Sequence, residues 1–209
     1  MRPTHVRRLA CTILLLLVAL DVRCARRPLY AGSSGPGPGQ TGFHSDGKDL
    51  FLAVDVKAAK LAGPGNFLPL YFVVANREKA AVHIHRENLS VETPSGTVLP
   101  LASPEEFRHD YTRSRQDVPM AQGFLDAVAG QFPEPPHHWM ELEFFVPKDS
   151  PVVPRTTPVD LRFGDVARGY LYFRNPSAAP FPPGTYKLLV RPEGTDATFV
   201  VDFQPFEGP

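Results

Sequence analysis

Two runs decide the fold: Leu50-Phe-Leu-Ala-Val-Asp-Val-Lys57 and, past the Gly63-Pro64-Gly65 turn, Phe67-Leu-Pro-Leu-Tyr-Phe-Val-Val-Ala-Asn76. In the first, Leu50, Leu52, Val54 and Val56 alternate with Phe51, Ala53, Asp55 and Lys57. Residues two apart on an extended chain share a face, so this period predicts a half-buried strand. In the second, Leu68, Leu70, Phe72 and Val74 make one face of another strand. A short turn between two such runs makes them antiparallel neighbours.

The same rhythm continues downstream. Val82 and Ile84 point inward from Ala81 to Arg86, which leaves His83 and His85 together on the water side. Leu89 and Val91 lead into Pro94-Ser95-Gly96, a turn signal, and Val98 returns as the hairpin partner. From Trp139 to Val146, Met140, Leu142, Phe144 and Val146 oppose Trp139, Glu141, Glu143 and Phe145. Leu161 and Phe163 start a short strand that ends near Gly164-Asp165. Gly169, Leu171 and Phe173 alternate with Tyr170, Tyr172 and Arg174 up to Asn175-Pro176, where proline stops strand pairing. Tyr186, Leu188 and Val190, then Phe199, Val201 and Phe203, close the series, for about eight strands in all.

One segment breaks the rhythm. Ser103 is placed as an N-cap with Pro104 at the first helical position, and Met120, Phe124, Leu125 and Val128 recur at helical spacing. Two short helices separated by Pro119 are expected at about 104–132. With no βαβ alternation, the expectation is a mainly β fold: an immunoglobulin-like antiparallel β-sandwich over 49–205 with a short helical insertion.

Upstream, residues 25–48 are rich in Gly, Ser and Pro without apolar periodicity and read as a flexible tether. Before them, Arg2, His5, Arg7 and Arg8 precede an apolar run from Leu9 to Leu20, the form of a secretory signal over 1–24. A bilayer-spanning helix needs roughly 20 apolar residues, and this run stops at Asp21. Val22 and Cys24 at the −3 and −1 positions place cleavage after Cys24. Cys24 also offers a lipidation site, although Arg23 stands where a lipobox has a small residue. The expected location is therefore periplasmic, cell-envelope or extracellular, with membrane contact only through a lipid anchor at Cys24.

Cys11 and Cys24 are the two cysteines, so the mature domain holds no disulfide and depends on packing. The whole chain carries 22 basic and 22 acidic residues; losing Arg2, Arg7, Arg8, Arg23 and Asp21 leaves 18 and 21. With no basic stripe to neutralise phosphates, nucleic acid is not an expected partner. The source reads as a GC-rich bacterium from the Arg, Ala, Pro and Gly usage, and the Asn88-Leu89-Ser90 sequon matters only in a eukaryote.

The strand ending Val74-Ala75-Asn76, the Thr93-Pro94-Ser95-Gly96 turn and the late Gly169-Tyr-Leu-Tyr-Phe-Arg-Asn175 strand together resemble immunoglobulin-like domains of exported bacterial lipoproteins. The resemblance spans most of Leu50 to Phe203, with 104–132 departing from it. It implies an exported sandwich and transfers no catalytic or binding residue.

Four histidines are the metal candidates. His83 and His85 share a strand face at a spacing that can hold one ion, and His137-His138 beside Met140 supplies donors suited to copper. Against this, exposed histidines on a strand and in a Pro-rich loop are ordinary surface. Trp139, Tyr170 and Tyr172, with Phe145, form an outward aromatic row that reads as a partner-binding surface. The competing reading is that the insertion around Phe124 and Leu125 covers the same face. Glu141 and Glu143 share a face as a carboxylate pair, an arrangement common on solvated sheets. There is no Gly-x-Ser-x-Gly elbow, no mature cysteine nucleophile and no lysine in the Gly32–Gly39 loop, so no catalytic residue and no cofactor are expected. The functional expectation is a non-enzymatic envelope or secreted protein acting as an interaction or structural module with a protein or envelope partner, and the alternative is a periplasmic copper- or zinc-binding protein.

Overall fold

A computed structural model of the chain describes residues 34–36, 41–78, 80–132, 136–193 and 195–206. The expected signal, and with it Cys24, lies outside these residues. The fold is mainly β. Its strands are β1 (Ser34–Pro36), β2 (Gly42–Asp46), β3 (Leu50–Asp55), β4 (Phe67–Asn76), β5 (Val82–Ile84), β6 (Leu89–Glu92), β7 (Val98–Pro100), β8 (Trp139–Glu141), β9 (Val159–Leu161), β10 (Val166–Arg174), β11 (Tyr186–Val190) and β12 (Phe199–Phe203). They form a six-stranded sheet in the order β1-β2-β3-β4-β10-β8, a four-stranded sheet in the order β12-β11-β6-β7 and a small β5-β9 ladder. Pairing is antiparallel except between β10 and β8, which run parallel.

The two larger sheets share one core, as in a β-sandwich. Leu52, Val54, Leu70, Phe72 and Leu171 reach it from the six-stranded sheet, and Val91, Leu188, Val201 and Phe203 from the four-stranded one. These are inward positions expected from the period of two, and each buried side chain contributes roughly 1.5–3 kcal/mol against chain entropy. β3 pairs with β4, and β6 with β7, in the antiparallel sense expected. Asn76, buried at the end of β4, donates from Nδ2 to the carbonyls of Ala80 (2.8 Å) and Leu161 (2.9 Å) and accepts from the amide of Glu78. It thereby ties the β4 end to β9.

A third, helical layer lies on the outer face of the six-stranded sheet. It comprises α2 (Pro104–Asp110), α3 (Ser114–Asp117), a 3₁₀ turn (Val118–Ala121) and α4 (Gln122–Ala129), with α1 (Lys57–Ala62) earlier in the chain. Ser103 caps α2: its hydroxyl accepts from the Glu106 amide, and Glu106 accepts from the Ser103 amide. Ala121, Phe124 and Val128 then bury Phe51, Ala53, Tyr71, Val73 and Ala75. Among the described residues, no helix is long and apolar enough to cross a membrane.

Several expectations are corrected. Within the stretch read as a tether, β2 is an ordered strand between β1 and β3. Its sequence, Gly-Phe-His-Ser-Asp, offers only Phe43 to the core, so periodicity could not mark it. The strand expected over 50–57 stops at Asp55, where the backbone turns into α1, and β3 is buried at every position because the insertion covers its second face. The run from 139 to 146 is a strand only over Trp139–Glu141, although Leu142, Phe144 and Val146 still point inward. Gly169 allows that crossing: a Cβ there would sit 3.1 Å from the Leu142 Cβ, so the leucine occupies the space a side chain would take. Pro119 does lie between helices, as expected, within the 3₁₀ turn that joins α4 to a further short helix, α3, which the sequence reading did not include.

Candidate binding cleft between sheet and insertion

The outer faces of β4, β10 and β8 carry the site. Register puts Tyr170 opposite Tyr71, and their rings meet edge to face at 4.9 Å between centroids. Arg168 lies beside Glu141, donating from Nε to its carboxylate at 2.7 Å, with its guanidinium 5.2 Å over the Trp139 ring. Phe107 of α2 packs on Tyr172 (4.4 Å) and Phe145 (5.1 Å).

Asp117, at the end of α3, pins the insertion to this sheet. It is fully buried, and its Oδ2 accepts from the hydroxyls of Tyr111 (2.8 Å) and Tyr172 (3.1 Å), while its backbone carbonyl accepts from Tyr170. Its Oδ1 has no hydrogen-bond partner among the described residues. Burial pushes the Asp117 carboxyl above the ordinary carboxylate range, opposed in part by the tyrosine hydroxyls and the Arg113 charge. Burial, reinforced by the Asp117 charge, raises Tyr111, Tyr170 and Tyr172. The tyrosines therefore stay protonated and act as donors.

Between the insertion and β8 the cover is incomplete, leaving a cavity of about 360 Å³. Small-molecule sites start at roughly this size. Tyr71, Gly169, Tyr170 and Tyr172 form its floor; Ser114, Val118, Ala121, Gln122 and Leu125 line the insertion side; Phe145, Pro147, Glu141, Glu143 and Arg168 line the other. Val118, 61 % exposed, and the two glutamates stand at the mouth. Glu143 adopts φ 49°, a left-handed conformation that costs a non-glycine residue roughly 1 kcal/mol or more. Its carbonyl accepts from the Arg155 amide at 2.8 Å, and its carboxylate lies 3.5 Å from the Arg155 guanidinium.

Of the two readings of the aromatic row, a free partner surface or a face covered by the insertion around Phe124 and Leu125, the structure has the second. Tyr172 is 2 % exposed, and Tyr170 and Trp139 are half-buried against Phe124, Leu125 and Phe132. What the row contributes is the cleft floor. The metal candidates lie elsewhere, and three of them have separate partners. His83 Nδ1 is 2.6 Å from Asp160 Oδ1, His85 Nε2 is 2.7 Å from Glu193 Oε2, and His137 Nδ1 is 3.1 Å from the Phe163 carbonyl. His138 is exposed. Among the described residues, no three His, Cys, Asp or Glu side chains come together as a metal-binding group. Asp117, Val118, Gln122 and Leu125 were not singled out as site residues from sequence; the near-unbroken apolar run Phe67–Asn76, the mark of a strand covered on both faces, was the available signal.

No family model, no curated protein and no solved structure matches the chain.

Proposed function

We propose that the mature chain is an exported, non-enzymatic binding module built on an immunoglobulin-like sandwich, and that the cleft beside the insertion holds its ligand. The observation that carries this reading is the cleft: a concave site of about 360 Å³ with an aromatic floor and a few polar groups gathered at its mouth. Export rests on the basic and apolar segment before Cys24, which points to a periplasmic, envelope or extracellular location, with lipidation of Cys24 as the one route to a membrane. The immunoglobulin-like assignment is supported by the two sheets around one core and by the motifs that resemble exported lipoprotein domains. The ligand is a small molecule or a side chain presented by an envelope partner.

The test is a ligand-observed NMR screen of the purified protein against a mixed library of small organic molecules, repeated with Leu125→Trp. Leu125 lines the cavity and is only half-buried, so a larger side chain fills the space while retention of the melting temperature checks the fold. Hits that disappear in the plugged variant support the reading. Hits that all persist, or a compound that is chemically turned over, contradict it.

A further inference from the structure

We infer that the ligand of this cleft presents a compact organic cation of the quaternary-ammonium class; the inference rests on the cleft being the binding site. Aromatic rings carry negative charge on their faces and attract cations that shed water readily. Tyr71, Tyr170, Tyr172 and Phe145 all line the cavity. The hydroxyls of Tyr170 and Tyr172 donate to Asp117, which is not part of the lining, so their protons are committed away from the ligand. Donation to the Asp117 carboxylate also pushes electron density into the Tyr172 ring.

The charges at the mouth have the matching sign. Glu141, Glu143 and Arg168 are the ionic side chains of the lining, two negative against one positive. Arg168 is already bonded to Glu141 and stacked on Trp139. Glu143 keeps a long 3.5 Å contact to Arg155, which is outside the lining. Counted over the lining alone, with Arg155 standing behind Glu143 outside it, the carboxylates outnumber the guanidinium, and they lie beside Tyr170 and Tyr172, whose hydroxyl donors are in use. A quaternary ammonium suits such walls because it needs no hydrogen-bond acceptor, whereas an anion would meet two carboxylates and one occupied guanidinium.

The experiment is calorimetric titration of the purified protein with choline and with 3,3-dimethylbutan-1-ol, which has carbon in place of the charged nitrogen. Choline is expected to bind at least tenfold more tightly than the alcohol. Glu143→Gln is expected to narrow that ratio severalfold, and Leu125→Trp, checked for unchanged melting, to abolish choline binding. Equal binding of the two compounds, or choline binding that both variants leave intact, overturns the inference. Absence of choline binding also overturns it; if the library screen still yields neutral compounds excluded by Leu125→Trp, the cleft survives as a site and only the cation is lost. If the plug excludes nothing, both fall.

Discussion

At the scale of single residues, Asp117 connects packing to the site. A buried carboxylate is costly unless its oxygens are satisfied, and here two tyrosine hydroxyls satisfy one oxygen while the other has no partner among the described residues. Because folding raises its pKa, the folded state takes up a proton more readily than the unfolded chain. Its contribution is therefore fully present below the unfolded carboxyl pKa and is lost as pH rises through the raised folded value. Asp117→Asn removes that titration and keeps an acceptor for one tyrosine. The melting-temperature difference, wild type minus Asp117→Asn, is expected to fall as pH is raised from about 4 to 7; a difference that stays flat across that range contradicts the assignment. Nothing in the local sequence Arg115-Gln116-Asp117-Val118 marks this residue, because the hydroxyls that define it come from positions 111, 170 and 172.

At the scale of elements, the insertion starts with a capping box that local sequence specifies and is then held by long-range contacts that it does not. Ser103 and Glu106 satisfy each other's amides, and Arg174 at the end of β10 reaches Glu106 (2.8 Å) and Asp110 (3.0 Å). The Ser103 amide, with Arg174, holds the Glu106 carboxyl below its ordinary range. Ser103→Ala is expected to lower stability by about 1 kcal/mol, read as a reduced urea midpoint with an unchanged slope. No change in the midpoint would mean that the cap is redundant with the Arg174 clamp. The cap and the Phe124–Val128 face were legible because both depend on residues three or four apart. β2 and the short β8 were not. One has a single core-facing aromatic, and the other leaves strand geometry at Glu143 although its inward alternation continues through Val146.

At the scale of the whole molecule, the six-stranded sheet is covered on one side by the four-stranded sheet and on the other by the insertion, which makes β3 and β4 central in both directions. β2 protects the edge of β3, and Thr41 just before it bonds the buried Asp55. Deleting residues through 48 would remove β1 and β2 and leave the backbone edge of an apolar strand unpaired. Such a chain is expected to aggregate or to melt well below one that begins at residue 25. Equal melting temperatures would restore the tether reading of that stretch.

The claim on which the account turns is that the insertion leaves an open, negatively charged cleft. Beyond Cys24 the sequence contains no cysteine, so Leu125→Cys places a unique thiol in the cleft wall, and Val153→Cys, at a position 77 % exposed, places one on open surface. The most direct measurement is the rate at which a trimethylammonium-bearing methanethiosulfonate and a sulfonate-bearing one modify each thiol. The account predicts that the cationic reagent is favoured at Leu125→Cys by at least tenfold more than at Val153→Cys. A thiol at 125 inert to both reagents, or the same preference at both positions, would contradict it.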